Sequence, residues 1–243
     1  MYTSTVKNGA LAQPSDSDPA LDKAQAYATE DLMYRHWDHW VTETPRTYVA
    51  PFGGAKITPE NSFDLLGDEP YELPTEPFGG AEQLDWSPNG RYIAYSCRKH
   101  MGKEYAFSTN CGIYVYDIVT GATITVKGDG GYDTDPVWSP DGSRLAFISM
   151  KRDGYEADAQ RLMVASAPGF EVRELAAELD RDKSGVFWNG SEEIYFNALT
   201  DGQQAIFKVS PNGGAAKRIT PEDWHYDFFS PWAVCSDELL CSY

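Results

Sequence analysis

The stretch "EQLDWSPNGRYIAYSC" (residues 82–97) returns as "TDPVWSPDGSRLAFIS" (134–149) and, more loosely, as "SGVFWNGSEEIYFNAL" (184–199). Trp86, Trp138 and Trp188 mark the register of a repeat of about 50 residues. After each Trp come a turn, an alternating apolar run and a loop. A second alternating run follows ("GIYVYDI", "RLMVASA", "QAIFKVS"), then a Gly-containing turn ("VTGA", "APGF", "PNGG") and a short closing run ("TITV", "EVREL", "AKRIT"). Four strands per unit at this period are the signature of a β-propeller. One such sheet cannot bury both faces alone, whereas radial stacking covers each sheet with its neighbours. "SPNG" and "SPDG" suit the tight turn between first and second strands: Pro presets φ, and Asn-Gly or Asp-Gly tolerates positive φ.

Working outward, the fold class is all-β, a partial β-propeller of four-stranded blades in an incomplete ring. Residues 1–30 are polar, with a weak helical pattern in "LDKAQAYATEDLMY", and read as a linker or the remnant of a preceding blade. The propeller occupies 31–243, with a divergent unit at about 31–78, units at 79–128, 131–178 and 182–220, and an incomplete one at 222–243. In the divergent unit "LMYRHWD" takes the second-strand position, "HWVTETPR" the loop and "TYVAPF" the third strand. Propellers close with roughly four to eight blades, so the chain reads as a fragment of a larger protein.

Composition narrows the function classes. Among 243 residues, aromatics make up 14% and Gly and Pro together number 36, in keeping with a turn-rich β protein. No apolar run approaches the roughly 18 residues of a membrane span. A formal charge of −17 repels phosphate backbones and argues against nucleic-acid binding. It suits cationic or amine-bearing ligands, or simply the solvated surface of a secreted or periplasmic protein. The N-terminal segment lacks the basic and apolar regions of a signal peptide.

Cys97, Cys111, Cys235 and Cys241 form no CxxC pair, which removes zinc-ribbon and thioredoxin readings; a Cys97–Cys111 bridge across a hairpin stays open beside two buried thiols. His36 and His39 are spaced as a possible metal pair, but on one extended segment they point to opposite faces. "KGDGGYDTDP" lacks the spacing and closing Glu of an EF-hand. No metal and no cofactor are expected.

"DLMYRHWDHWVTE" (31–43), "PFGGAEQLDWSPNGRYIAYSCRKHMGKEYAFSTN" (77–110), "GYDTDPVWSPDGSRLAFISMKRDGYEADAQRL" (131–162) and "KRIT" (217–220) resemble the propeller of the prolyl oligopeptidase family of serine peptidases, in its dipeptidyl-peptidase-five and acylaminoacyl-peptidase branch. The resemblance implies a serine exopeptidase whose propeller positions short peptides for a C-terminal α/β-hydrolase domain. This chain carries no GxSxG nucleophile elbow, so no residue in it is assigned a catalytic role. The alternative is a free-standing TolB-like propeller that binds a protein or ligand.

Strands of a blade alternate in direction, so loops between second and third strands leave one face, and long loops on a rigid scaffold are where function is built. On that face Glu156 and Asp158 are candidates for a peptide's α-ammonium, and Arg152 or Tyr155 for a carbonyl or side chain. Glu104, Tyr105, Arg35, Trp37 and Trp40 complete the substrate-binding or domain-interface candidates.

Overall fold

A computed structural model describes residues 1–54 and 56–223, and the backbone of Ala233–Cys235 and Glu238–Leu240. The chain falls into two compact units: Met1–Ala81 with Cys97–Thr109, and Glu82–Ser96 with Asn110–Tyr243.

The second unit holds three four-stranded antiparallel sheets. The first is β6 (Leu84–Trp86), β7 (Tyr92–Cys97), β8 (Gly112–Asp117) and β9 (Thr123–Lys127). The second is β10 (Asp133–Trp138), β11 (Arg144–Ser149), β12 (Arg161–Ser166) and β13 (Glu171–Leu175). The third is β14 (Lys183–Asn189), β15 (Glu193–Thr200), β16 (Gln203–Val209) and β17 (Lys217–Arg218). The backbone of β18 (Ala233–Cys235) and β19 (Glu238–Leu240) pairs as a hairpin. From residue 224 on, the rest of the unit expected at 222–243, with Cys241, lies outside the described residues.

The repeat is a packing device. Successive side chains of a strand point to opposite faces, and β11 is apolar on both. Leu145 and Phe147 enter one cluster with Ile113, Val115 and Trp138. Ala146 and Ile148 enter the other with Trp188, Ile194 and Phe196. β12 splits the same way, Met163 and Ala165 to the first cluster, Leu162 and Val164 to the second. Hydrogen bonds stitch the blades further: the Asp85 carboxylate accepts from the Trp138 amide at 2.7 Å, and the Trp188 indole donates to the Val137 carbonyl at 3.0 Å.

The turn chemistry recurs with the repeat. Ser87 donates to Asn89 at 2.7 Å and accepts from the Tyr92 amide; Ser139 does the same with Asp141, at 2.6 Å, and the Arg144 amide. Gly90, Gly142 and Gly190 take the positive φ that each turn needs. The first strands of the second and third sheets share an unforeseen bulge, between Thr134 and Val137 and between Ser184 and Phe187. The bulged residues are Asp135 (φ 55°) and Gly185 (φ 58°), and a Cβ at Gly185 would run into the Asn197 amide.

The first unit departs from the blade pattern. β1 (Tyr2–Lys7) pairs with β4 (Glu43–Val49), and β5 (Phe63–Asp64) completes a three-stranded sheet. Residues 2–7, read above as linker or blade remnant, are thus an edge strand, because "YTSTVK" is β-branched and pairs in full register with "ETPRTYV". The second half of the "HWVTETPR" loop is likewise strand β4. "RHWDHW" is a tight hairpin of β2 (Arg35–His36) and β3 (His39–Trp40), turned by Trp37 at φ 48°. Arg46, 6% exposed, ties the sheet to the segment that follows. Its guanidinium binds Asp64 at 2.7 Å and donates to the carbonyls of Gly67, Glu69 and Tyr71.

Phe147 is wholly buried in the first cluster of the second unit. Phe147→Ala is expected to lower the unfolding free energy by about 3–5 kcal/mol in chemical denaturation. A loss below about 1 kcal/mol would contradict the two-sided packing.

Candidate functional site

The first unit contains a cavity of about 360 Å³ whose wall includes Val41, Arg46, Asp31, Glu72, Met101 and Tyr105. β1 and β4 supply one side. The other comes from the segment after β7, where a 3-10 turn at Gly102–Ala106 is pinned by the Asp31 carboxylate accepting from the Gly102 amide at 2.9 Å.

Glu72 dominates the electrostatics. It is 2% exposed, and burial pushes its carboxyl up to about 7 against the opposing pull of Arg98. Arg98 donates to Glu72 Oε1 at 3.3 Å and lies 5.2 Å from the Tyr105 ring centre. Burial and the nearby Glu72 raise the Tyr105 phenol, so it stays protonated at neutral pH. On the far side His36 Nε2 stands 3.9 Å from Glu72 Oε2 without making a hydrogen bond. Burial lowers the His36 pKa, so the two meet as neutral imidazole and part-protonated carboxyl rather than as an ion pair.

A second hollow, about 410 Å³, is lined by His36, Trp37, Trp40, Glu43, Glu76 and Pro77 among others. Trp37 is 73% exposed and meets the exposed Phe78 edge-on, 5.2 Å between centres. Trp40 packs on Tyr27 and carries Arg35 above its ring at 5.3 Å. The hairpin corrects the expectation for the histidines: His36 and His39 are cross-strand partners. Their rings still part, since His36 is turned toward Glu72 and His39 is exposed beside Asp38. Among the described residues no three metal-ligating side chains gather.

In the second unit the candidates cluster on the loop between β11 and β12. The Arg152 guanidinium donates to Asp158, the Arg152 amide does so at 2.8 Å, and the guanidinium sits 3.9 Å from the Tyr155 ring centre. Arg152 holds the Asp158 carboxyl below its ordinary value. Three of the four candidates therefore brace one another. Glu156 is exposed at the tip and joins none of these pairs. In the first unit Glu104, exposed, faces His100 at 3.4 Å, while Tyr105 alone of that pair reaches the cavity.

Sequence reasoning missed Glu72, Arg98 and Asp31 as site residues. Glu72 sits in "YELPTEP", where nothing local separates it from a solvated acid. "KGDGGYDTDP" also holds a buried acid: Asp133, pushed up to about 6 by burial, lies 3.5 Å from the Lys127 ammonium. Cys97 and Cys111 are both buried thiols, unbridged.

Residues 83–239 match the family described as PD40, the TolB β-propeller domain. The chain belongs to that family. Its homologues include dipeptidyl-peptidase 5 of Porphyromonas gingivalis, 38% identical over 99% of this chain, and of Porphyromonas endodontalis, 36% identical over 93%. A more distant one, dipeptidyl-peptidase 5 of Aspergillus fumigatus, is 27% identical over 87%. The likeness seen in "RHWDHW" and "RDGYEAD" is thereby borne out. This TolB-type propeller chain spans about a third of the length of the curated relatives it matches. An acylaminoacyl peptidase structure in complex with Z-Gly-Gly-Phe-chloromethyl ketone superposes with a TM-score of 0.61 at 13% identity, over 98% of this chain and 32% of that one, which shows the shared fold.

Glu72 also gives a pH signature. From an ordinary value near 4.5 to a folded value of about 7, the folded state keeps a proton that the unfolded chain has released. Stability contributed by the protonated carboxyl is therefore lost as pH rises across that window. Wild type is expected to lose more stability than Glu72→Gln between about pH 5 and pH 7 in paired denaturation curves. Identical slopes would mean that the carboxyl is solvated in the folded protein.

Proposed function

We propose that the chain is the propeller part of a dipeptidyl-peptidase-like serine exopeptidase, where it gates or positions short peptides for an α/β-hydrolase domain of the whole protein. The observation that carries this reading is the 38% identity to a dipeptidyl-peptidase 5 across nearly the whole chain. Chemistry falls to the hydrolase domain and recognition to the propeller. Glu156 is the residue of the β11–β12 loop available to a peptide's α-ammonium, since Arg152 already neutralises Asp158. The remaining candidates, Glu104, Arg35, Trp37 and Trp40, are exposed groups suited to contacts with the substrate or the hydrolase domain. The other reading, a binding propeller without chemistry, draws on the PD40 match alone.

In the whole protein, Glu156→Gln removes a charged partner and keeps its shape. Hydrogen bonds to charged groups contribute about 1.5–3 kcal/mol, so kcat/KM for peptides with a free N-terminus should fall roughly ten- to a hundredfold. N-acylated peptides have no ammonium and should be nearly unaffected. Equal losses on matched free and acylated substrates would assign Glu156 to bracing of the loop instead.

A further inference from the structure

The cavity of the first unit is enclosed by groups whose mutual accounts do not balance. Arg46 contributes no charge to a ligand, because Asp64 and three carbonyls take up its guanidinium. Both oxygens of Asp31 are engaged, by the amides of Met33 at 2.8 Å and Gly102 at 2.9 Å, which fix a negative charge on the wall. Glu72 is nearly inaccessible, yet its one guanidinium contact is 3.3 Å long. Charge-assisted hydrogen bonds normally lie near 2.7–2.9 Å. Of its other neighbours, His36 is neutral and too distant to donate, while the Glu76 amide donates a hydrogen bond that carries no full charge. A buried carboxylate held by one amide and one long guanidinium contact still gains from a cation that can hydrogen-bond to it.

The rest of the wall is mostly apolar, with Val6, Met33, Val41 and Met101, and the uncharged polar residues Asn8 and Thr44. Lys7, also on the wall, is exposed, and its stem lets the ammonium reach water. The volume lies within the range of small-molecule sites, about 300–1,000 Å³, and a few convergent polar groups in an apolar cavity are the usual pattern.

We propose that this cavity binds a small protonated amine, its ammonium against Glu72 and Tyr105 and its aliphatic part on Val41 and Met33. The inference is independent of the peptidase reading: it holds equally for a propeller that only binds. Binding is linked to protons. Glu72 is part-protonated at neutral pH, and a docked ammonium favours its ionised form, so binding releases a proton. Of the charged or titratable groups facing Glu72, Arg98 and Glu76 pull its carboxyl in opposite directions, His36 is neutral and Tyr105 protonated, and Asp31 acts on Tyr105.

The test is calorimetric titration of residues 1–243 with n-butylammonium and, as neutral counterpart, n-butanol. Butylammonium should bind at least about tenfold more tightly than butanol. Its affinity should rise from about pH 6 to pH 8, and buffers of differing ionisation enthalpy should report release of roughly half a proton near pH 7. Glu72→Gln should weaken butylammonium at least about tenfold and abolish the proton release. Met101→Arg, at a wall residue 46% exposed, places a positive charge at the cavity without disturbing the core, and should also weaken it. If Glu72→Gln does not fold, Met101→Arg decides alone. Equal binding of amine and alcohol, no binding to folded wild type, or full affinity in folded Met101→Arg would overturn the proposal.

Discussion

Strands β11 and β12 carry apolar side chains on both faces, and a single sheet has no partner for the second. That constraint makes each blade depend on the next: Phe147 and Ile148 are neighbours in sequence yet belong to different clusters. Stacking satisfies both at once and orders the repeats around a common direction. The Trp of the second and third repeats serves the same end, with Trp138 in one interface and Trp188 in the other, where its indole reaches back to Val137. Once the strands are committed to packing, chemistry is left to the loops and to the irregular first unit.

The first unit works by a different physics. Its sheet is small, and its segments are held by polar clamps: Arg46 on Asp64 and three carbonyls, Asp31 on the Gly102 amide, Thr47 on the Leu73 carbonyl at 2.9 Å. Clamps of this kind enclose charge as well as shape. A chain of net charge −17 has many carboxylates in water, where a cation gains little. Glu72 differs by position alone, since burial changes both its proton affinity and its attraction for a cation.

The blades were legible because their signal is local and repeated. "WSPNG" and "WSPDG" encode a turn whose Ser, Asn or Asp and Gly each have an assigned bond or dihedral, and period-two runs encode the strands. The first unit was not legible for the converse reason. The partner of β1 lies about 40 residues away, which no local pattern records. β2 and β3 are two residues each, too short to show a period, and their turn depends on a Trp at positive φ. The site followed suit. Tyr105 could be chosen as an aromatic in a long loop, whereas Glu72 matters only because Arg98 and the cavity come to it through the fold. The acids of "RDGYEAD" looked alike in sequence; the Arg152–Asp158 pair separates them.

Under the proposed function, these features serve a scaffold that binds and positions peptides, with the nucleophile in the rest of a longer protein. The most direct measurement is active-site labelling of the natural gene product with a fluorophosphonate, followed by peptide mapping, while dipeptide release is monitored. The account predicts that label and loss of activity track one serine outside residues 1–243. Label on a serine within these residues in step with lost activity, or an active protein that takes no label, would contradict it.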